Sequence, residues 1–269
     1  MTRPALRIVI GAALLVSAAA TVLADDDTGS CNGLPSFETL QSALKTAVAA
    51  ETSGMNLNRW AVIVDRDGNV CAVAFSGLTR GAQFSAGRLT AAQKANTANL
   101  FNLDGPPTPP GTPIAANAPK ALSTSNLFSA LQPGGILYGL QDSSPLNIDA
   151  AFKGPATLYG TSGDPLVGIK IGGVNAFGGG LALYTAFGKL VGGVGVSGDT
   201  SCADHNVAWR VRNLLNLDRL VGLASASGDQ LHPDNIVFDL DSSAKSASGF
   251  GSPKCANTAG SDTLPPIQQ

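Results

Sequence analysis

The chain has 269 residues, of which 44% are apolar and 13% charged, with a formal net charge of −2. Its 17 Lys and Arg stand against 19 Asp and Glu, which argues against a binder of nucleic acid or of anionic membranes, since both need clustered basic residues. The apolar share over this length suffices for a sizeable core, and 32 Gly with 16 Pro predict long ordered loops.

Residues 1–24 read as a cleaved signal peptide. Arg3 and Arg7 make a basic start, Ile8 to Leu23 carries no charge, and Val22 and Ala24 are the small residues that signal peptidase accepts. A membrane anchor is the competing reading. The apolar run at ~1.5 Å rise covers only ~24 Å, short of a ~30 Å hydrocarbon core. Cleavage removes two Arg and no acid, leaving a net charge of −4. Residues 25–269 are then expected to form one exported domain, periplasmic or extracellular, with no membrane span. Its four cysteines, Cys31, Cys71, Cys202 and Cys255, predict two disulfides with three pairings open. No pair has the CxxC spacing of a metal site. Cys31 and Cys255 lie near the two ends, where bridges would fasten the termini.

An acidic lead-in (25–33) precedes Ser36, which can cap a helix. Phe37, Leu40, Leu44, Ala47 and Val48 give that helix one apolar face. Arg59–Asp65 and Asn69–Phe75 are β-rich runs joined by Arg66-Asp67-Gly68, a hairpin with Gly where positive φ is needed. Leu89 to Phe101 predicts a helix whose small face, Ala92, Ala95 and Ala98, can lie close against a sheet. The Pro-rich stretch 104–119 must be irregular. Ser125–Leu131 predicts a short helix. The Gly-rich stretch 133–180 reads as loop with one short strand at Leu166–Ile171. Leu181–Thr185 and Leu190–Ser197 are two strands around Phe187-Gly188-Lys189. A last helix begins at Thr200 or Ser201, with Ser201 and Asp204 matching a capping pattern and Val207, Ala208, Val211, Leu214 and Leu215 as its buried stripe. The polar tail (222–269) holds a short strand at Ile236–Leu240. This order describes an α+β domain with a largely antiparallel sheet.

Gly193-Val-Gly195-Val-Ser-Gly198 matches the G-x-G-x-x-G of dinucleotide sites. The match is rejected because the glycines alternate with Val194 and Val196 as within a strand, and because that strand arrives through a hairpin rather than a βαβ crossover. Such glycines make a thin strand that permits close approach of a helix or a ligand. Hydrolase signatures are absent: there is no G-x-S-x-G, and only His205 and His232 supply imidazoles. No catalytic residue is assigned.

Trp60–Phe75 with Ala92-Gln-Lys-Ala-Asn-Thr-Ala98, and Gly180–Asp204 with Leu190-Val-Gly-Gly-Val-Gly-Val-Ser-Gly-Asp-Thr200, together resemble the GlcG/HbpS-like haem-binding family. This is also called the haem-degrading domain family, and is related to the C-terminal domain of PduO-type proteins. Asp65, Gly68, Lys94, Ala95, the Gly192–Gly198 run and Asp204 fall on its motif positions. The match covers 34–102 and 180–216. The stretch 104–179 and the tail 217–269 look like additions, and paired cysteines are not general in the family. The resemblance implies a five-stranded antiparallel sheet flanked by helices, haem or a related tetrapyrrole as ligand, and often an oligomer. Three functions stay open: a tetrapyrrole binder for scavenging, storage or sensing; a haem-degrading or other small-molecule enzyme; and an interaction module without a working pocket.

For a haem site, His205 is the candidate iron ligand. It lies in the first turn of the last helix, where the helix terminus favours the neutral ring, and Asp204 could orient it. The alternative is a surface His beside a cap. Tyr159 and Tyr184 are candidate phenolate ligands or packed aromatics. Arg80 and Arg88 flank a glycine loop and could pair with propionates or be solvated. Lys94 matches a family position, or makes an ion pair with Asp65. His232, in the tail, is given no role.

Overall fold

The computed structural model describes residues 31–106, 109, 111–258 and 263–268. The proposed signal peptide lies outside the described residues. Four strands form the main sheet: β1 (Trp60–Asp65), β2 (Val70–Phe75), β3 (Gly180–Thr185) and β4 (Lys189–Ser197). Their order is β2-β1-β4-β3 and every pairing is antiparallel. The α+β antiparallel class is therefore observed, with four strands in this sheet rather than five. Asp65 sets the β1–β2 turn by accepting from the backbone N–H groups of Asp67 and Asn69, while Gly68 takes the required φ of 80°.

Three helices of thirteen or fourteen residues cover the sheet: α1 (Phe37–Ala49), α2 (Gly87–Leu100) and α3 (Ser201–Leu214). Helix α1 is capped by Ser36, whose side chain accepts from the Thr39 N–H. Helix α3 is capped by Thr200, which accepts from the Ala203 N–H. The Ser201–Asp204 capping pair does not form, because Asp204 turns inward to accept from the Gly198 and Asp199 N–H groups. Leu214 of the predicted stripe is 46% exposed.

The sheet separates two packed layers. One face carries Ala61, Ile63, Leu181, Leu183, Val194 and Val196 against α1 and α3. The other carries Trp60, Val62, Val64 and Val73 against α2 and against Ala150, Ala151, Leu166 and Ile171 of the 104–179 stretch. Gly193 and Gly195 alternate with the valines and face α2. A Cβ added at Gly195 would overlap the Ala91 carbonyl oxygen, and one at Gly193 that of Ala95. The thin strand thus accommodates a helix, and the room that the sequence offered to a flat ligand is filled by α2.

Beyond this core the chain is mostly irregular. Leu166–Ile171 forms no strand. It meets β2 through the Val70 N–H to Ile169 O and Gly168 N–H to Val70 O bonds and a bridge between Asn69 and Lys170. Ile236–Leu240 likewise contributes only isolated bridges, to Gly251 and Ser246. A two-residue parallel ladder joins Lys120–Ala121 to Ala224–Ser225. Two disulfides close, Cys31–Cys71 and Cys202–Cys255. Among the described residues no helix is long and apolar enough to cross a membrane.

Candidate functional site

The sequence-selected residues fall into two groups, one lining a cleft beside α2 and one buried in the core. Arg80, Arg88 and Tyr159 line one cleft of about 530 Å³ together with Trp60, Leu89, Leu146 and Phe152. That volume lies within the range of roughly 300–1,000 Å³ usual for small-molecule sites. The cleft runs between the start of α2, the loop before it and the 146–159 segment. Trp60 is held in its wall by a 2.8 Å bond from its indole N–H to Phe84 O and by edge-on packing on Phe75. Gln93, Thr90 and Ser85 add uncharged polar groups.

The two arginines differ. Arg88 is buried, donates through Nε and Nη2 to the Asp164 carboxylate, and donates through Nη1 to Ala151 O at 2.9 Å. Its guanidinium also covers the Tyr159 ring at 3.8 Å. Arg88 thus ties the 151–164 segment to α2 while remaining part of the cleft wall. Arg80 is exposed at the cleft. It makes no ion pair among the described residues, and so remains available to an anion.

The second group is sealed into the core. Lys94 Nζ lies 3.0 Å from Asp204 Oδ2 and 3.1 Å from Val196 O. Its ion partner is therefore Asp204 and not Asp65. Asp204 also lies 3.5 Å from Arg59, which in turn pairs with Asp199 at 3.1 Å. Burial pushes the Asp204 carboxyl up, while Lys94 and Arg59 hold it down. With two backbone N–H groups and two cations aimed at it, the carboxylate is the form this geometry serves. The pair is a brace between α2, the end of β4 and α3.

His205 is 0% exposed, and neither ring nitrogen has a hydrogen-bond partner in good geometry. Its ring packs near Trp209. Burial pushes its pKa down to about 4, opposed by Asp234 and by the Asn235 side chain. The surface-His alternative is thus corrected, and the reading as an iron ligand meets a closed core on the face opposite the cleft. His232 also packs near Trp209, with ring centroids 5.5 Å apart, and contacts Asp229 and Leu264 O at 2.7 and 3.1 Å. Tyr184 is buried and donates to Leu103 O at 3.0 Å. Burial raises its pKa far above the ordinary range, with Asp234 adding to the shift, so a phenolate there is disfavoured. Tyr159 donates to Lys153 O at 3.2 Å.

Sequence reasoning missed Asp164, Phe152 and Leu146. They lie in a stretch without periodicity, and no local signal marks them.

No curated protein matches the chain. Among solved structures it is similar to a PduOC–haem complex, at 21% identity and a TM-score of 0.43, covering 68% of this chain and 93% of that one. It is similar to the Klebsiella pneumoniae protein ORFY at 21% identity and a TM-score of 0.41, covering 66% and 86%. It is similar to a double mutant of Streptomyces reticuli HbpS at 19% identity and a TM-score of 0.38, covering 75% and 97%. The family model described as haem degrading protein HbpS-like matches residues 36–212. With that match spanning most of the chain, the protein belongs to the HbpS-like family.

Proposed function

We propose that this is an exported tetrapyrrole-binding protein, with haem as its expected ligand, serving scavenging, storage or sensing. The observation that carries the reading is the cleft beside α2, with apolar and aromatic walls and an uncommitted cation, Arg80. Leu89, Leu146, Phe152 and Tyr159 would take the apolar ring, and Arg80 its carboxylates. Bound haem would supply a redox-active iron. Family membership adds a haem connection, and two closed disulfides fit an oxidising compartment outside the cytoplasm.

The fit is good for the ring and its carboxylates and poor for the iron. The cleft is lined by no imidazole, thiol or thioether.

An absorbance titration with haemin tests the reading. The expected result is a saturable Soret shift that Arg80→Glu weakens about tenfold, or 1.4 kcal/mol, and that His205→Ala leaves in place. Loss of the band on adding a reductant would instead favour the haem-degrading reading. No spectral change at any haemin concentration would remove the ligand altogether.

A further inference from the structure

We infer that the cleft recognises a tetrapyrrole by its ring and its carboxylates and is indifferent to the metal, so that an iron-free porphyrin binds as tightly as haem. The inference rests on the tetrapyrrole reading and narrows it.

Protein iron sites for haem are built from His, Cys, Met or Tyr donors. This chain has two imidazoles, and both lie with α3 across the sheet from the cleft. His205 is enclosed, and His232 is engaged by Asp229 and Leu264. All four thiols are consumed in disulfides. Met55 is not part of the cleft wall. The remaining donor type is the Tyr159 phenol. Its O–H is turned to the Lys153 carbonyl, and its ring is clamped beneath the Arg88 guanidinium. Arg88 is itself fixed by Asp164 in a buried pair, so swinging the phenol free would break the arrangement that holds the cleft wall.

What the cleft does offer acts on the organic part of the ligand. Leu89, Leu146 and Phe152 present apolar surface, and Phe152 is 67% exposed there. Arg80 offers an unpaired guanidinium suited to a carboxylate. Thr90 and Gln93 offer neutral hydrogen bonds. None of these contacts depends on a central metal, so its removal costs the complex nothing that this site supplies.

The test compares haemin, protoporphyrin IX and protoporphyrin IX dimethyl ester on the full exported chain, read by Soret absorbance and porphyrin fluorescence. The expected result is that haemin and protoporphyrin IX bind with affinities within a factor of five. The ester, which lacks free carboxylates, should bind at least tenfold more weakly. Arg80→Glu should weaken both acids about tenfold alike, and Tyr159→Phe should change both by less than twofold. A haemin affinity more than fivefold above that of protoporphyrin IX, or a loss in Tyr159→Phe confined to haemin, would overturn the inference while leaving the tetrapyrrole reading standing. Binding of neither acid would remove both.

Discussion

Arg88 sits at the second position of α2, and its guanidinium is consumed by Asp164 and the Ala151 carbonyl. Removing one partner of such a pair strands the other as an uncompensated buried charge, which is why these residues read as scaffold for the cleft and not as its ligand contacts. His205 is a second side chain whose role is set by burial. Burial holds its folded pKa at about 4, below the ordinary imidazole value of 6.5, so the native state favours the neutral ring while the unfolded chain protonates near neutrality. Between those values the unfolded state binds more protons, and stability rises with pH. This contribution is fully present above pH 6.5 and is lost as pH falls through 4; it amounts to about 3 kcal/mol. Urea unfolding at steps from pH 7.5 to 4.5 should show that decline, and His205→Gln should flatten it. A slope unchanged in the variant would mean that other groups carry the acid sensitivity.

At the scale of elements, the contact between β4 and α2 governs how close helix and sheet can lie. Gly195→Ala places a methyl against the Ala91 carbonyl and the Ala95 N–H, both of them helix backbone. The helix must shift away from its whole small face, at a cost of about 1–3 kcal/mol or more. Gly81→Ala meets nothing within 4 Å and should leave the thermal midpoint within about a degree or two. Equal midpoints for the two variants would contradict the close packing. This packing was legible beforehand, because Ala92, Ala95 and Ala98 at helical spacing and the alternating Gly193 and Gly195 are local patterns. The hairpin was legible for the same reason, through Asp65 and Gly68. The cleft was only half legible. Arg80 and Arg88 stand next to the predicted helix, whereas Asp164 and Phe152 reach the site through long-range closure of a segment with no period of its own. The burial of His205 was not legible, because its position in α3 gives no sign that Trp209 and the 234–235 segment lie against it.

Across the whole molecule the two disulfides act on the first and last described segments, which cover the α1–α3 layer. Cys31–Cys71 fastens the lead-in to β2 over a separation of 40 residues, and Cys202–Cys255 fastens the tail to α3 over 53. The tail is also held by the buried Arg212–Asp234 pair, by Leu264 in the core, and by hydrogen bonds such as the Trp209 indole N–H to Pro265 O at 2.8 Å. Closing loops of this length restricts the unfolded chain by about 4 kcal/mol for each bridge. Replacing Cys31 and Cys71 by Ala, or Cys202 and Cys255, should therefore lower the guanidinium midpoint by a comparable amount in either case. The quadruple variant should lose close to the sum, since the bridges join different elements. Thiol labelling of the unfolded, unreduced protein should detect no free cysteine. Four labelled thiols, or midpoints that ignore both replacements, would show that the chain is held together by its core alone.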